Sequence, residues 1–186
     1  MSRPAAFLDR DGVINLDHGY VSRWEDFAFV PGAVDALRRL QAAGYALVIV
    51  TNQSGVARGY YDEAAVQALH DTLRGHLARQ GVALDAIEYC PHLPAAQVAR
   101  YAVDCDCRKP APGMILRSAA VLSIDLARSL MFGDKSSDIE AGRAAGVGRC
   151  VRLARNGEPG TAVVDHLDLP RALDALGIPP LPAAAT

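Results

Sequence analysis

The sequence predicts an α/β protein built on a doubly wound, mostly parallel sheet of the Rossmann type. Short apolar runs alternate with longer helical patterns, which is typical of strands joined by crossover helices. The run Tyr45–Val50 is apolar throughout, as in a central strand buried on both faces. The 186 residues suit one domain, which we expect over residues 1–180, with a disordered tail at 181–186.

Each predicted strand is a short, mostly apolar run that ends at polar or turn residues. A long polar and aromatic loop at 12–30 follows the first strand. A Pro- and Cys-rich loop at 91–111 follows the third strand. The predicted strands are Ala5–Leu8, Tyr45–Val50, Ile87–Cys90, Leu130–Phe132 and Arg149–Leu153.

The predicted helices lie between these strands. In the first helix, Val34, Leu37 and Leu40 share one face, and Gly44 provides the stop. The second helix is capped by Asp62, and Pro112 lies where the third can begin. The predicted helices span residues 33–43, 62–80, 112–122 and 139–145.

Composition and charge limit the classes of partner. The formal net charge is −2, so no basic excess is available to neutralise a nucleic acid backbone. No apolar run approaches the ~20 residues that a membrane-spanning helix needs. The first apolar stretch is also too short for the core of a signal peptide. We therefore expect a cytoplasmic protein without a nucleic acid or membrane partner. The charge is compatible with a small anionic substrate, and a monomer is our expectation for the oligomeric state.

Acidic and basic residues follow the predicted strands at one edge of the sheet. Ligands of parallel α/β sheets bind at the carboxyl ends of the strands, so these residues are candidates for a site. Carboxylates gathered at one point repel one another unless a cation lies among them, and a small set of oxygen ligands suits Mg²⁺. We predict Asp9 and Asp134 as Mg²⁺ ligands, with the main-chain carbonyl of Asp11 as a third.

The same residue types fit phosphoryl transfer. Asp9 can attack phosphorus, because aspartate is an accepted covalent nucleophile for phosphoryl groups. Asp11 lies two residues further on, so it can protonate the leaving oxygen and later deprotonate the attacking water. Thr51 and Lys109 can stabilise the phosphoryl oxygens in the transition state.

A second metal site is predicted in the Cys-rich loop. Cys90 and His92 are separated by one residue, and after twelve intervening residues Cys105 and Cys107 form a similar pair. Three thiolates and one imidazole make a closed tetrahedral zinc site, which leaves no open position and is therefore structural. Its role would be to fix the loop that ends at Arg108. The alternative is a set of buried cysteines with an unrelated histidine.

Other histidines have different predicted environments. His18 lies in the loop after the predicted nucleophile, which can fold over a substrate. His70 and His76 lie on the predicted second helix, six residues apart, and do not share a face. We expect both at the surface or partly buried.

The runs FLDRDGVIN, VTNQSG, RKP and FGDKSSD resemble the four motifs of the haloacid dehalogenase (HAD) superfamily of phosphatases, over residues 5 to about 153. The resemblance implies that Asp9 is the nucleophile and Asp11 the acid/base. It also implies that Thr51 and Lys109 stabilise the phosphoryl group and that Asp134 holds magnesium.

The gaps between these motifs leave no room for a cap domain, and two capless subfamilies carry a zinc loop of this kind. One acts on a sugar bisphosphate and the other on histidinol phosphate. Twelve residues lie between His92 and Cys105, as in the sugar bisphosphate subfamily. The corresponding loop of the histidinol phosphate subfamily is shorter. By this resemblance Arg108 recognises the substrate and Lys135 assists. The residues implied to contact substrate are Asp17, His18, Gly19, Tyr20, Thr51, Asn52, Gln53, Ser54, Arg108, Lys109 and Lys135.

Several alternatives remain open from the sequence. Arg108 and Arg58 can bind the distal phosphate of a bisphosphate, since arginine suits bidentate phosphate recognition. For Arg58 the alternative is a solvated side chain at the surface. Histidinol-phosphate phosphatase is the rival activity. A phospho-accepting receiver domain also uses a strand-end Asp, a Thr or Ser and a Lys, but it needs neither an acid/base nor a zinc loop. A zinc-dependent interaction module would release no phosphate.

Overall fold

The structure, a computed structural model, describes residues 2–154 and 168–182. Its strands are β1 (Ala5–Leu8), β2 (Ala46–Asn52), β3 (Ala86–Cys90), β4 (Leu130–Gly133) and β5 (Arg149–Arg152). They form one sheet in the order β3-β2-β1-β4-β5, and all four pairings are parallel. The predicted parallel sheet is therefore confirmed. Of the tail predicted at 181–186, residues 183–186 lie outside the described residues.

The described helices are α1 (Ala33–Ala42), α2 (Glu63–Arg79), α3 (Gly113–Leu122), α4 (Ser136–Ala145) and α5 (Leu169–Ala175). The prediction was wrong about the start of α4, which begins at Ser136 and not at Ile139. It also omitted α5, whose start is capped by the Asp168 side chain, which accepts a hydrogen bond from the Arg171 N–H. Helix α5 buries Leu169 and Leu173 and packs against α1.

Helices cover the sheet on both faces. Successive strand residues point to opposite sides, so each strand contributes to two cores. Leu8 and Ile49 belong to the core on the side of α1, α2 and α5. Phe7 and Val48 belong to the core on the side of α3 and α4. All four side chains are fully buried, which explains why β1 and the first five residues of β2 are apolar and do not alternate with polar residues.

The connections that follow β1 and β2 decide whether a further domain covers the carboxyl edge of the sheet. The segment between β1 and α1 contains one short 3-10 turn, Trp24–Asp26, and the segment between β2 and β3 contains α2 alone. Within residues 2–154 and 168–182 no additional domain covers this edge, in agreement with the prediction of a capless fold. None of the helices in these ranges is both long and apolar enough to cross a bilayer.

Gly12 lets the chain after β1 approach the end of β4. Its φ is +91°, and a Cβ atom at this position would lie 2.6 Å from Asp134 Oδ2. Any other residue would therefore combine backbone strain with a clash against the Asp134 carboxylate. The glycine keeps the ends of these two adjacent strands close together.

Candidate active site

Three buried carboxylates meet at the carboxyl edge of the sheet. Asp9 follows β1, Asp134 follows β4, and Asp138 lies in the first turn of α4. Their side chains are 3%, 1% and 1% exposed, and one oxygen atom from each lies within 4.8 Å of the others. The Lys109 Nζ atom lies among them, 2.8 Å from Asp9 Oδ1 and 2.7 Å from Asp138 Oδ1.

This carboxylate cluster suits a divalent cation. Burial raises the pKa of Asp9 to about 7 against the opposing effect of Lys109, and Asp138 adds to the rise. One ammonium therefore does not balance the buried negative charge, and a bound cation would favour the ionised carboxylates. Closely spaced hard oxygens are the ligands that Mg²⁺ prefers.

Asp138 is a residue of the cluster to which the sequence analysis gave no role. Its Oδ2 atom accepts a hydrogen bond from the Lys135 main-chain N–H at 3.0 Å, which caps the start of α4. The sequence contained a signal for this position, because Asp138 follows the predicted Mg²⁺ ligand Asp134 by only four residues. With the start of α4 placed too late, Asp138 was not seen to lie in the first turn of that helix.

Asp11 points away from the carboxylate cluster into a ring of hydrogen-bond donors. The Arg10 guanidinium donates to its Oδ1 and Oδ2 atoms at 2.9 and 3.0 Å. Asn15 Nδ2 donates to Oδ1 at 3.0 Å, and Gln53 Nε2 donates to Oδ2 at 3.0 Å. Burial acts to raise the pKa of Asp11, but the charge of Arg10 and these hydrogen bonds hold it below its usual value.

The donors to Asp11 are themselves held in place. Arg10 is 0% exposed, and it donates to the Val21 carbonyl at 2.7 Å. The Tyr61 hydroxyl donates to Gln53 Oε1 at 2.9 Å, which turns the amide N–H groups of Gln53 toward Asp11. The sequence analysis missed both Arg10 and Tyr61, since neither follows a recognised pattern for the chemistry.

Both His70 and His76 were expected at the surface or partly buried. The structure shows that this was wrong for His70 and confirms it for His76. His70 lies 6% exposed on the inner side of α2, with its Nε2 atom 3.2 Å from Arg10 NH1. Burial and the charge of Arg10 lower the pKa of His70 to about 3, so the imidazole is neutral near pH 7. His76 is half-buried against the aromatic rings of Trp24 and Phe29.

A cavity of about 290 Å³ opens beside Asp11. Lys135 and Asp17 lie on its wall, with Lys135 Nζ 3.6 Å from Asp17 Oδ2. Most residues predicted to contact substrate line this cavity, whose full lining is Asp11, Asp17, Gly19, Tyr20, Asn52, Gln53, Ser54, Tyr61 and Lys135.

Other predicted contact residues lie elsewhere. Thr51 and Lys109 are buried, and Gln53 Nε2 donates to Thr51 Oγ1 at 2.9 Å. His18 is exposed, and Arg108 donates from its NH1 atom to the His92 carbonyl at 3.1 Å. The Arg58 guanidinium carbon lies 6.0 Å from the centre of the Tyr20 ring. These last three side chains are not part of the cavity lining.

The four residues of the predicted zinc site lie together. The Sγ atom of Cys107 is 3.0 Å from that of Cys90 and 3.2 Å from that of Cys105, and His92 Nδ1 is 3.3 Å from Cys107 Sγ. All three thiols are free, and the four ligand atoms lie within 4.8 Å of one another. Burial raises the pKa of the Cys90 thiol, so a bound cation would be needed to keep it as a thiolate.

Two hydrogen bonds tie the end of the Cys-rich loop to β2. The Lys109 main-chain N–H donates to Asn52 Oδ1, and Asn52 Nδ2 donates to the Lys109 carbonyl, both at 3.1 Å. Lys109 Nζ also donates to the Val50 carbonyl at 2.7 Å. The position of Lys109 in the carboxylate cluster therefore depends on the path of this loop.

A capless parallel sheet with strand-end carboxylates and a buried lysine is the arrangement of HAD-type hydrolases. In agreement, the family model described as HAD-hydrolase-like matches residues 106–168. The match begins beside Cys107 and includes Lys109, Asp134 and Asp138. The matched stretch indicates a hydrolase.

Relatives that match along nearly their whole length show which kind of hydrolase this is. The chain is 48% identical over 183 residues to the D-glycero-beta-D-manno-heptose-1,7-bisphosphate 7-phosphatase of Yersinia pestis, covering 94% of this chain and 97% of the relative. It is also 48% identical to the enzyme of that name from Escherichia coli K12, over 92% of this chain and 94% of the relative. The chain belongs to this phosphatase family and is a phosphomonoester hydrolase.

A solved structure agrees with these relatives. The D,D-heptose 1,7-bisphosphate phosphatase from B. bronchiseptica, complexed with magnesium and phosphate, superposes with a TM-score of 0.75 at 34% identity. The alignment covers 93% of this chain and 97% of that structure.

Proposed function

We propose that this protein hydrolyses the 7-phosphate of D-glycero-D-manno-heptose 1,7-bisphosphate through a phospho-aspartate on Asp9. The observation that carries the proposal is the buried Asp9 carboxylate, which is ion-paired to Lys109 and lies two residues before Asp11, a residue of the cavity lining. The names of the relatives support the choice of substrate. The enzyme would work as a monomer in the cytoplasm, in the supply of nucleotide-activated heptose for lipopolysaccharide, without nucleic acid or membrane as a partner.

The first half of the reaction transfers the phosphoryl group to the protein. An Asp9 carboxylate oxygen attacks phosphorus, and the bond from phosphorus to the sugar oxygen breaks. Lys109 and Thr51 balance the charge on the phosphoryl oxygens. A phosphate dianion beside Asp11 raises the pKa of that carboxyl group, because like charges disfavour its ionised form, and the protonated acid then donates to the leaving sugar oxygen.

The second half restores the enzyme. Asp11, now a carboxylate, removes a proton from a water molecule, whose oxygen attacks phosphorus and releases Asp9 and inorganic phosphate. This water molecule would reach the phosphoryl group through the cavity that Asp11 lines. Asp11 therefore performs both proton transfers from one position.

Magnesium is the catalytic metal in this proposal. Asp9 and Asp134 would hold it with the main-chain carbonyl of Asp11, and Asp138 adds a third carboxylate to the set. Bound Mg²⁺ would neutralise charge on the phosphoryl group. The solved D,D-heptose 1,7-bisphosphate phosphatase complexed with magnesium and phosphate supports this choice of ion.

Substrate preference tests the proposed function directly. We expect kcat/KM for the heptose bisphosphate to exceed that for histidinol phosphate by at least ~100-fold, since a site built for a second phosphate rejects a substrate that lacks it. Phosphate release from histidinol phosphate and from the α and β anomers of the heptose bisphosphate, each with and without Mg²⁺, gives both values. A preference for histidinol phosphate would overturn the choice of substrate, and a long-lived phospho-aspartate without turnover would favour a receiver domain.

Zinc in the Cys/His cluster is a further part of the proposal, with a structural role. We expect Cys105→Ser to lose zinc to a chelator that the unchanged protein withstands, because a serine hydroxyl is a poor zinc ligand. The loosened loop should misplace Lys109 and lower kcat/KM by roughly 10-fold. Metal analysis after chelation and phosphate release provide the two measurements.

Cys150→Ser is the matched control for this change. Cys150 is a free thiol on β5, outside the Cys/His cluster. This variant should keep both its zinc content and its activity. If Cys105→Ser retains zinc as firmly as the control does, the four residues are not a zinc site.

A further inference from the structure

The orientation of the Asp11 carboxylate depends on the Arg10 side chain. Arg10 NH2 reaches both Asp11 oxygens, at 2.9 and 3.0 Å, whereas Asn15 and Gln53 each reach only one. The guanidinium group is planar, so its orientation fixes the plane of the carboxylate that it binds. A general acid must direct its proton at the leaving oxygen, and small misplacements of such a group slow the reaction.

His70 fixes one end of the guanidinium. Arg10 NH2 is occupied by Asp11 and the Val21 carbonyl, and Arg10 NH1 faces His70 Nε2 at 3.2 Å. Arginine has only donors, so this contact requires that His70 Nε2 carry no proton and accept the hydrogen bond. The lowered pKa of His70 is consistent with that state. The imidazole is itself held edge-on against the Tyr89 ring, with ring centres 5.8 Å apart.

We propose that His70 is a positioning residue for catalysis, which accepts a hydrogen bond from Arg10 and so holds the guanidinium that orients the Asp11 carboxylate. The proposal rests on the acid/base role given to Asp11 in the proposed function. His70 is not a member of the carboxylate cluster or of the cavity lining. Its hydrogen bond is made to Arg10, so its effect on the reaction would pass through that residue.

Two substitutions separate positioning from packing. His70→Gln keeps an acceptor near the position of Nε2, whereas His70→Leu fills a similar volume without an acceptor. His70→Asn is polar but too short to reach Arg10, and it takes the place of the leucine variant if that protein does not fold. Thermal unfolding measures the stability of each variant, and Asp11→Asn provides the reference for loss of the acid.

The test measures how the rate of leaving-group release in a single turnover depends on the chemistry of the leaving group. Release of a sugar alkoxide from the heptose bisphosphate, or of glycerol from glycerol 3-phosphate, needs a proton from Asp11. Release of p-nitrophenolate from p-nitrophenyl phosphate does not, because that anion is already a stable leaving group. We expect His70→Leu to slow alkoxide release by roughly 10- to 100-fold and p-nitrophenolate release by less than about 3-fold, with KM little changed. His70→Gln should stay within about 3-fold of the unchanged protein on both.

Equal losses on both kinds of substrate would show that His70 acts only through the fold and would overturn the proposal. Full activity of His70→Leu on the alkyl phosphates would overturn it as well. The proposed substrate fails separately, if the unchanged protein does not hydrolyse the heptose bisphosphate. In that case the ratio between glycerol 3-phosphate and p-nitrophenyl phosphate still decides the role of His70.

Discussion

Asp9→Asn is expected to lower kcat by at least ~10⁴-fold while leaving the protein folded, because an amide cannot form the phospho-enzyme. The substitution preserves shape and removes a buried carboxylate whose pKa burial already raises to about 7. Stability should therefore not fall. Phosphate release under steady-state conditions and thermal unfolding provide the two measurements.

Asp35→Asn is the matched control for this prediction. The Asp35 side chain is 71% exposed, and it pairs with Arg38 on the surface of α1. The same chemical change there should leave kcat and stability unaltered. Retention of substantial turnover by Asp9→Asn, measured in protein free of the unchanged enzyme, would remove Asp9 as the nucleophile.

Lys109→Met is expected to cause the second large effect, on stability as well as activity. Lys109 is 4% exposed, with Asp9 and Asp138 both within 2.8 Å of its Nζ atom. Removal of the ammonium leaves buried carboxylates uncompensated, at a cost of about 3–5 kcal/mol in the free energy of unfolding. The loss of transition-state charge balance should lower kcat by roughly 10³-fold.

Metal dependence distinguishes this explanation from a simple packing defect. Denaturant unfolding in EDTA should show the full destabilisation of Lys109→Met, and saturating Mg²⁺ should reduce it by neutralising the same carboxylates. Lys135→Met is the comparison, since that side chain is 43% exposed and its loss should change stability by less than about 1 kcal/mol. A destabilisation of Lys109→Met that is unaffected by Mg²⁺ would contradict the charge argument.

The sequence predicted the parts of the fold that have local signals. All five strands were placed within one or two residues, and the signal was clearest for β1, β2 and β4, which are largely apolar and buried. Helix α5 was missed because it is only seven residues long and packs by tertiary contact with α1. Its N-cap Asp168 and the proline that follows were signals that could have placed it.

For the site, the sequence predicted which strand-end carboxylates lie together, while their catalytic roles stay a proposal. Asp9 and Asp134 converge because parallel strands present their carboxyl ends at one edge. Lys109 reaches Asp9 from the end of the Cys-rich loop. The environment of Asp11 could not be predicted in this way. Arg10 and His70 are sixty residues apart, and their contact exists only because α2 packs beside the loop after β1. Sequence periodicity carries no information about such a pair.

The two oxygens of Asp138 couple the formation of the first turn of α4 to the binding of an ion in the carboxylate cluster. One oxygen lies in the carboxylate cluster, and the other accepts the N–H group that begins α4. By thermodynamic linkage, an ion that binds this carboxylate also stabilises the first helical turn against fraying, and the two effects have the same coupling free energy. Hydrogen exchange at the start of α4 should therefore report whether the ion is bound.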